Sequence, residues 1–198
     1  MQDIIKQDQN KNLTKLNLNY DGVKDGEEQT ENYLKIVNEK IGFIPNVLAA
    51  FAKFPKQFEG FTKLYNALML GESGLTKLER EMIAVTVSSE NHCFYCLVAH
   101  GAAVRELSND PQLGERLAAN FRSAELPKKQ ETLLNFSKKL TRDPSEITEN
   151  DRSDLRKAGY TDRDIWDISA IIGLFNMTNR LALATEMEPN DNYHNLAR

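Results

Sequence analysis

Helix-start signals punctuate this chain from one end to the other, and they constrain its fold more than any other feature. Pro45, Pro55, Pro111 and Pro127 each head an apolar stretch, where the fixed φ of proline suits a first helical turn. Thr76 with Glu79 and Thr161 with Asp164 have the spacing of capping boxes, in which side chain and backbone satisfy each other's orphan groups. Thr30 and Thr148 are further N-cap candidates, and Gly42, Gly71-Glu72-Ser73-Gly74 and Gly159 are terminators. Between these marks apolar residues recur three and four apart, as in Val47, Leu48, Phe51 and Phe54, in Phe58, Phe61, Leu64, Tyr65 and Leu68, and in Ile165, Ile168, Ile172 and Phe175. Helices are expected over about 30–40, 45–54, 55–70, 76–87, 92–107, 111–121, 127–140, 148–158 and 161–187. No run of alternating β-branched residues competes with them. The expected fold is therefore all-α, eight or nine helices joined by short loops, with Met82 to Val87 deeply buried.

With 198 residues and 40% hydrophobic content, one large domain is expected over 29–198. Residues 1–28 read as a polar arm whose Leu13, Leu16, Leu18 and Tyr20 need cover from the domain or a neighbouring subunit. The formal net charge of −4, without a Lys/Arg cluster, argues against nucleic acid or an anionic membrane as partner. Met1 to Asp8 lacks the apolar core of a signal peptide, and no apolar run approaches the roughly 20 residues that span a bilayer. A cytoplasmic location is the expectation.

The chemistry concentrates in Glu90-Asn91-His92-Cys93-Phe94-Tyr95-Cys96-Leu97-Val98-Ala99-His100, which holds both cysteines and two of the three histidines. Two cysteines this close cannot staple distant segments, so a redox or metal role is favoured. At the start of a helix, Cys93 sits over exposed backbone N–H groups that favour its thiolate. On a helix Cys93, Cys96 and His100 fall within an arc of roughly 60°, and Cys96 and His100 have the spacing of touching neighbours. The imidazole can take the Cys96 proton, the thiolate can attack a peroxide oxygen or a disulfide sulfur, and Cys93 can then close a disulfide. Zinc held by Cys93, Cys96 and His100 or His92, or a pair of inert buried thiols, are the bland alternatives. Glu81 lies on the apolar stripe of its helix, where a carboxylate needs a partner. Glu90, three residues before Cys93, competes with it for a relay role. Tyr95 stands between the thiols as a candidate gatekeeper, and Asn176, Asn179 and Arg180 read as buried ties or subunit contacts. His194, in a polar tail, reads as solvated. There is no metal, haem or flavin motif, so the only expected cofactor is the Cys93–Cys96 dithiol itself.

Glu81, Cys93, Cys96 and His100 together resemble the AhpD-like superfamily, which includes alkyl hydroperoxidase D and the carboxymuconolactone decarboxylase family. The stretches Gly42-Phe43-Ile44-Pro45-Asn46-Val47-Leu48 and Leu174-Phe175-Asn176-Met177-Thr178-Asn179-Arg180-Leu181-Ala182 are similar to its peroxidase-related branch. The resemblance implies an all-α oligomer, commonly a trimer or hexamer, with the CxxC at the start of a buried helix. It also implies a peroxidase or disulfide reductase in which Cys96 attacks, Cys93 resolves, and His100 and Glu81 relay protons. A lipoyl domain or thioredoxin-like dithiol donor would recycle it. Alkyl hydroperoxidase D carries a second histidine before its second cysteine, and here that position is Tyr95. Two rival readings remain: thiol-independent decarboxylation, and a dithiol that serves only as a redox switch.

Overall fold

The computed structural model describes residues 13–18 and 26–198, so Tyr20 of the arm lies outside the described residues. Among these there is no strand, and ten α-helices follow one another: α1 (Glu27–Ile41), α2 (Asn46–Phe51), α3 (Pro55–Tyr65), α4 (Lys77–Glu90), α5 (Phe94–Ser108), α6 (Leu113–Asn120), α7 (Lys128–Arg142), α8 (Glu149–Lys157), α9 (Asp162–Ala184) and α10 (Asn192–Asn195). The all-α fold expected from the sequence is what forms. The tenth helix is a short turn in the C-terminal segment, where the sequence has no apolar period to announce it. None of these helices is long and apolar enough to cross a membrane.

Helix α4 is the axis of the bundle. Met82, Ile83, Ala84, Val85 and Val87 are fully buried, and α5, α6, α7 and α9 all pack against it. Its start is the expected capping box: Glu79 N–H donates to Thr76 Oγ1 at 3.1 Å and Thr76 N–H donates to Glu79 Oε2 at 2.9 Å. Burial of the box leaves Glu79 Oε1 to accept the Tyr160 hydroxyl at 2.7 Å, which ties the α8–α9 junction to the base of α4. The next residue, Arg80, is buried without an acidic partner and instead donates to the carbonyls of Leu68, Gly71 and Leu75. Those carbonyls belong to a π-helical turn, Asn66–Leu70, and the loop after it, so Arg80 closes the end of α3. Arg80→Met is expected to destabilise the fold by about 3 kcal/mol, because several buried carbonyls lose their donor. A lower urea midpoint at unchanged m would register it.

Several boundaries differ from expectation for local reasons. Thr30 lies inside α1 rather than capping it, and its hydroxyl donates back to the Gly26 carbonyl at 3.0 Å. Gly42 does end α1, at φ 81, a conformation that suits glycine. Ser88 to Glu90 stay helical instead of breaking α4. Ser88 Oγ donates to the Ala84 carbonyl at 2.7 Å, and Ser89 Oγ donates across to the Ala118 carbonyl of α6 at 2.6 Å, so both hydroxyls serve the helix rather than cap a new one. Finally, α9 stops at Ala184, three residues early, and the chain turns through Glu186 at φ 47.

Residues 13–18 and the C-terminal segment meet over the thiol helix. Lys15 N–H donates to the Thr185 carbonyl at 2.9 Å, and Leu18 packs on a cluster containing Cys93, Tyr95, Cys96 and Met187. Part of the polar arm thus finds its cover within the same chain. The C-terminal segment is held by Asn190, which accepts from Asn46 N–H at 2.8 Å and donates to the Ile44 carbonyl at 2.9 Å. Arg105 of α5 donates to the carbonyls of Tyr193 and Leu196.

Candidate active site

The turn between α4 and α5 builds the site. Asn91 ends α4, His92 takes φ 55, and Cys93 becomes the N-cap of α5 with an extended backbone. The Cys93 N–H donates back to the Ser88 carbonyl at 2.9 Å, which fixes the first cysteine against the last turn of α4. Both thiols are unpaired and buried, at 1% and 3% exposure. His92 is exposed to solvent.

The two sulfurs share one proton unequally. The Cys96 thiol donates to Cys93, the Cys96 backbone N–H and the nearby His100 add to the effect, and together they outweigh burial and lower Cys93 to about 7. Cys96 moves the other way, because its proton is engaged by Cys93 and because it is buried, although Asn179 and Ser88 favour its thiolate. The first part of the sequence expectation, a thiolate on the helix-capping cysteine, agrees with this direction. His100 turns its Nδ1 to Glu81, and its charge bears on Cys93.

The pH dependence follows. Thiol alkylation of the reduced protein is expected to rise with pH through a midpoint near 7, the value of Cys93. The pair also makes the reduced fold pH-sensitive. A depressed Cys93 contributes stability above the ordinary thiol value of 9.0 that is lost as pH falls through about 7. A raised Cys96 contributes stability below 9.0 that is lost at higher pH. Thermal midpoints of the reduced protein should therefore climb from pH 7 toward 9 and then decline, relative to a Cys93→Ser/Cys96→Ser protein.

Glu81 is brought to the thiols by the fold. The tight turn lays α5 back along α4, so Glu81 Oε2 meets His100 Nδ1 at 2.7 Å across nineteen residues of sequence, with side-chain exposures of only 13% and 15%. The edge of the His100 ring packs on Phe175 of α9, centroids 4.5 Å apart, which holds the imidazole in place. Tyr65 and Tyr193 approach the same carboxylate; burial first, and then the Glu81 charge, push both phenols above their ordinary range, so both stay protonated donors.

The auxiliary candidates separate clearly. The Tyr95 hydroxyl accepts the Val47 N–H at 3.0 Å, so it fastens α2 to α5, and burial holds it neutral. Glu90 is taken by Lys138 at 2.8 Å and Arg142 at 3.7 Å of α7, which ties its charge away from the thiols and removes it from the relay. Among the described residues no cluster of three or more His, Cys, Asp or Glu side chains is arranged to hold a metal. Side chains that the sequence did not single out for the site are Ser88, Asn91, Tyr65 and Tyr193. Their signal was weak, since serine and tyrosine near a motif are common and only the turn and the folded-back C-terminus bring them in.

Residues 55–137 match the carboxymuconolactone decarboxylase family. No curated protein matches the chain in sequence. An uncharacterized peroxidase-related protein from Silicibacter sp. TM1040 has 56% identity and a TM-score of 0.89, over 95% of this chain and 97% of that one. A protein from Ralstonia eutropha JMP134, described as an alkylhydroperoxidase AhpD core, has 36% identity and a TM-score of 0.88, over 95% and 98%. The apo debrominase Bmp8 shares the fold at 17% identity and a TM-score of 0.73, over 93% and 95%. Two long relatives at this identity, together with the family match over the thiol helices, place the chain in the AhpD-like superfamily, which includes the carboxymuconolactone decarboxylase family.

Proposed function

We propose that the protein is a dithiol peroxidase and disulfide reductase that cycles between a Cys93/Cys96 dithiol and a Cys93–Cys96 disulfide. The observation that carries this reading is a pair of free, buried thiols at the head of α5, a helix that also places His100 against Glu81 at 2.7 Å. In the resting pair the charge sits on Cys93. Transfer of the Cys96 proton to Cys93 exposes a Cys96 thiolate, which attacks the distal oxygen of a hydroperoxide and breaks the O–O bond. The alkoxide leaves with a proton supplied through His100 and Glu81, and Cys96 becomes a sulfenic acid. The Cys93 sulfur displaces hydroxide from it, released as water, and the disulfide forms. An external dithiol, of the kind found on a lipoyl domain or a thioredoxin-like protein, then opens the disulfide and is itself oxidised.

A homo-oligomer, trimer or hexamer, belongs to this reading. Trp166 of α9 is 73% exposed and Met177, on the same side, 47%, which is more apolar surface than a lone helix face usually leaves in water. The test of function is consumption of an alkyl hydroperoxide with a dithiol reductant. Multiple turnovers per protein support an enzyme. A single stoichiometric oxidation with competent reductant present favours a redox switch. Full decarboxylase activity in a Cys93→Ser/Cys96→Ser protein would favour the thiol-independent chemistry that gives the family its name.

A further inference from the structure

Helix α9 buries most of its surface in the bundle, but one stripe of it faces outward. Trp166, Ala170, Gly173, Met177, Leu181 and Ala184 follow one another at steps of three and four along that side. Trp166 is 73% exposed, Met177 47% and Leu181 37%. Over about 27 Å of helix the stripe carries no charge. Arg180, beside Leu181, is turned onto the backbone and side-chain oxygens of Asn176 at 2.8 and 2.7 Å, which leaves Leu181 to the stripe. Gly173 is the unusual member. Glycine is a poor helix former, and a Cβ built at this position meets nothing within 4 Å, so no contact among the described residues accounts for it.

The sizes along the stripe complement one another about its middle. Let a second copy lie antiparallel across it, on a two-fold axis that passes the helix midway between Gly173 and Met177. Trp166 then meets Ala184 of the partner subunit, Ala170 meets Leu181 of the partner subunit, and Gly173 meets Met177 of the partner subunit. Every bulky side chain finds a small one. A parallel pairing would set tryptophan on tryptophan and glycine on glycine, a clash at one level and a gap at another. An unrelated partner gives no reason for the stripe to fit itself. We propose that this face joins two copies of the chain, α9 against α9 and antiparallel, with Gly173 as the notch that admits Met177 of the partner subunit. This deepens the oligomer named above, since pairing every chain about a two-fold axis requires an even number of chains and selects a hexamer over a trimer.

Trp166 is the only tryptophan, so its fluorescence reads the contact directly. The full-length protein is followed by sedimentation velocity over a range of concentrations, with iodide quenching of Trp166 at each. An even number of chains is expected, with Trp166 shielded from iodide where they associate. Gly173→Leu tests the notch. In a lone chain the leucine has open space and favours the helix, so the thermal midpoint should hold or rise. Across the axis it collides with methionine twice, so pairing should weaken by about a hundredfold or more and open Trp166 to iodide. Gly173→Leu/Met177→Ala exchanges the two sizes and is expected to restore association. A monomer overturns the proposal, whether Trp166 is open or is covered from within the chain. So does a trimer, a Gly173→Leu protein that associates as the parent does, or a double variant that stays apart. Hydroperoxide turnover is measured on the same samples, so failure of the α9 pairing and failure of the dithiol reading are told apart.

Discussion

Replacing Cys96 by serine is expected to reduce hydroperoxide turnover by roughly four orders of magnitude, since the attacking atom itself is removed. Cys93→Ser should fail differently. It leaves a thiol that can still attack once, so a single equivalent of hydroperoxide is consumed and Cys96 stops as a sulfenic acid that no neighbouring sulfur resolves. Trapping with dimedone and intact-mass measurement separate the two variants: an adduct on Cys96 in Cys93→Ser, and none on Cys96→Ser at matched hydroperoxide. Equal residual activity in both would mean that the sulfurs do not have the separate roles assigned to them.

The second large effect is expected at the Glu81–His100 pair. His100→Gln removes the titratable ring that Glu81 holds at 2.7 Å and that lowers Cys93, so turnover at neutral pH should fall by about 10² to 10³. Glu81→Gln keeps the shape but not the charge, and a smaller loss of the same kind is expected. In His100→Gln the alkylation midpoint should move upward from near 7, because one of the influences that lower Cys93 is gone. A loss of turnover with no movement of the midpoint would assign His100 to the leaving oxygen alone.

Much of this architecture was legible because its signals are local. Pro55, the Thr76–Glu79 box, Gly42 and the Thr161–Asp164 box act on the backbone within a few residues, and each marks a helix end in the structure. The end of α4 lies past 87 because a serine near a helix end is equally suited to cap or to bond back to the preceding turn, and at Ser88 and Ser89 only the packing of α4 against α6 decides. The thiol pair and its place in a first turn followed from spacing. The meeting of Glu81 with His100 did not, since it depends on how tightly α5 folds back along α4, and before the fold was known only the family resemblance linked them. The least legible part was the floor of the site. Asn179, more than eighty residues from the thiols in sequence, meets Ser88 only because α9 runs beside α4, and nothing in the local pattern of α9 marks that buried tie.

The central claim is that the two thiols form a working redox pair, and the most direct measurement adds one equivalent of an alkyl hydroperoxide to fully reduced protein with no reductant present. Free thiols, intact mass and the alcohol product are then counted. The prediction is loss of both thiols, a mass lower by two hydrogens from a Cys93–Cys96 disulfide, and one alcohol formed per chain, all reversed by an added dithiol. Two thiols still titratable, with the hydroperoxide unconsumed, would contradict the account.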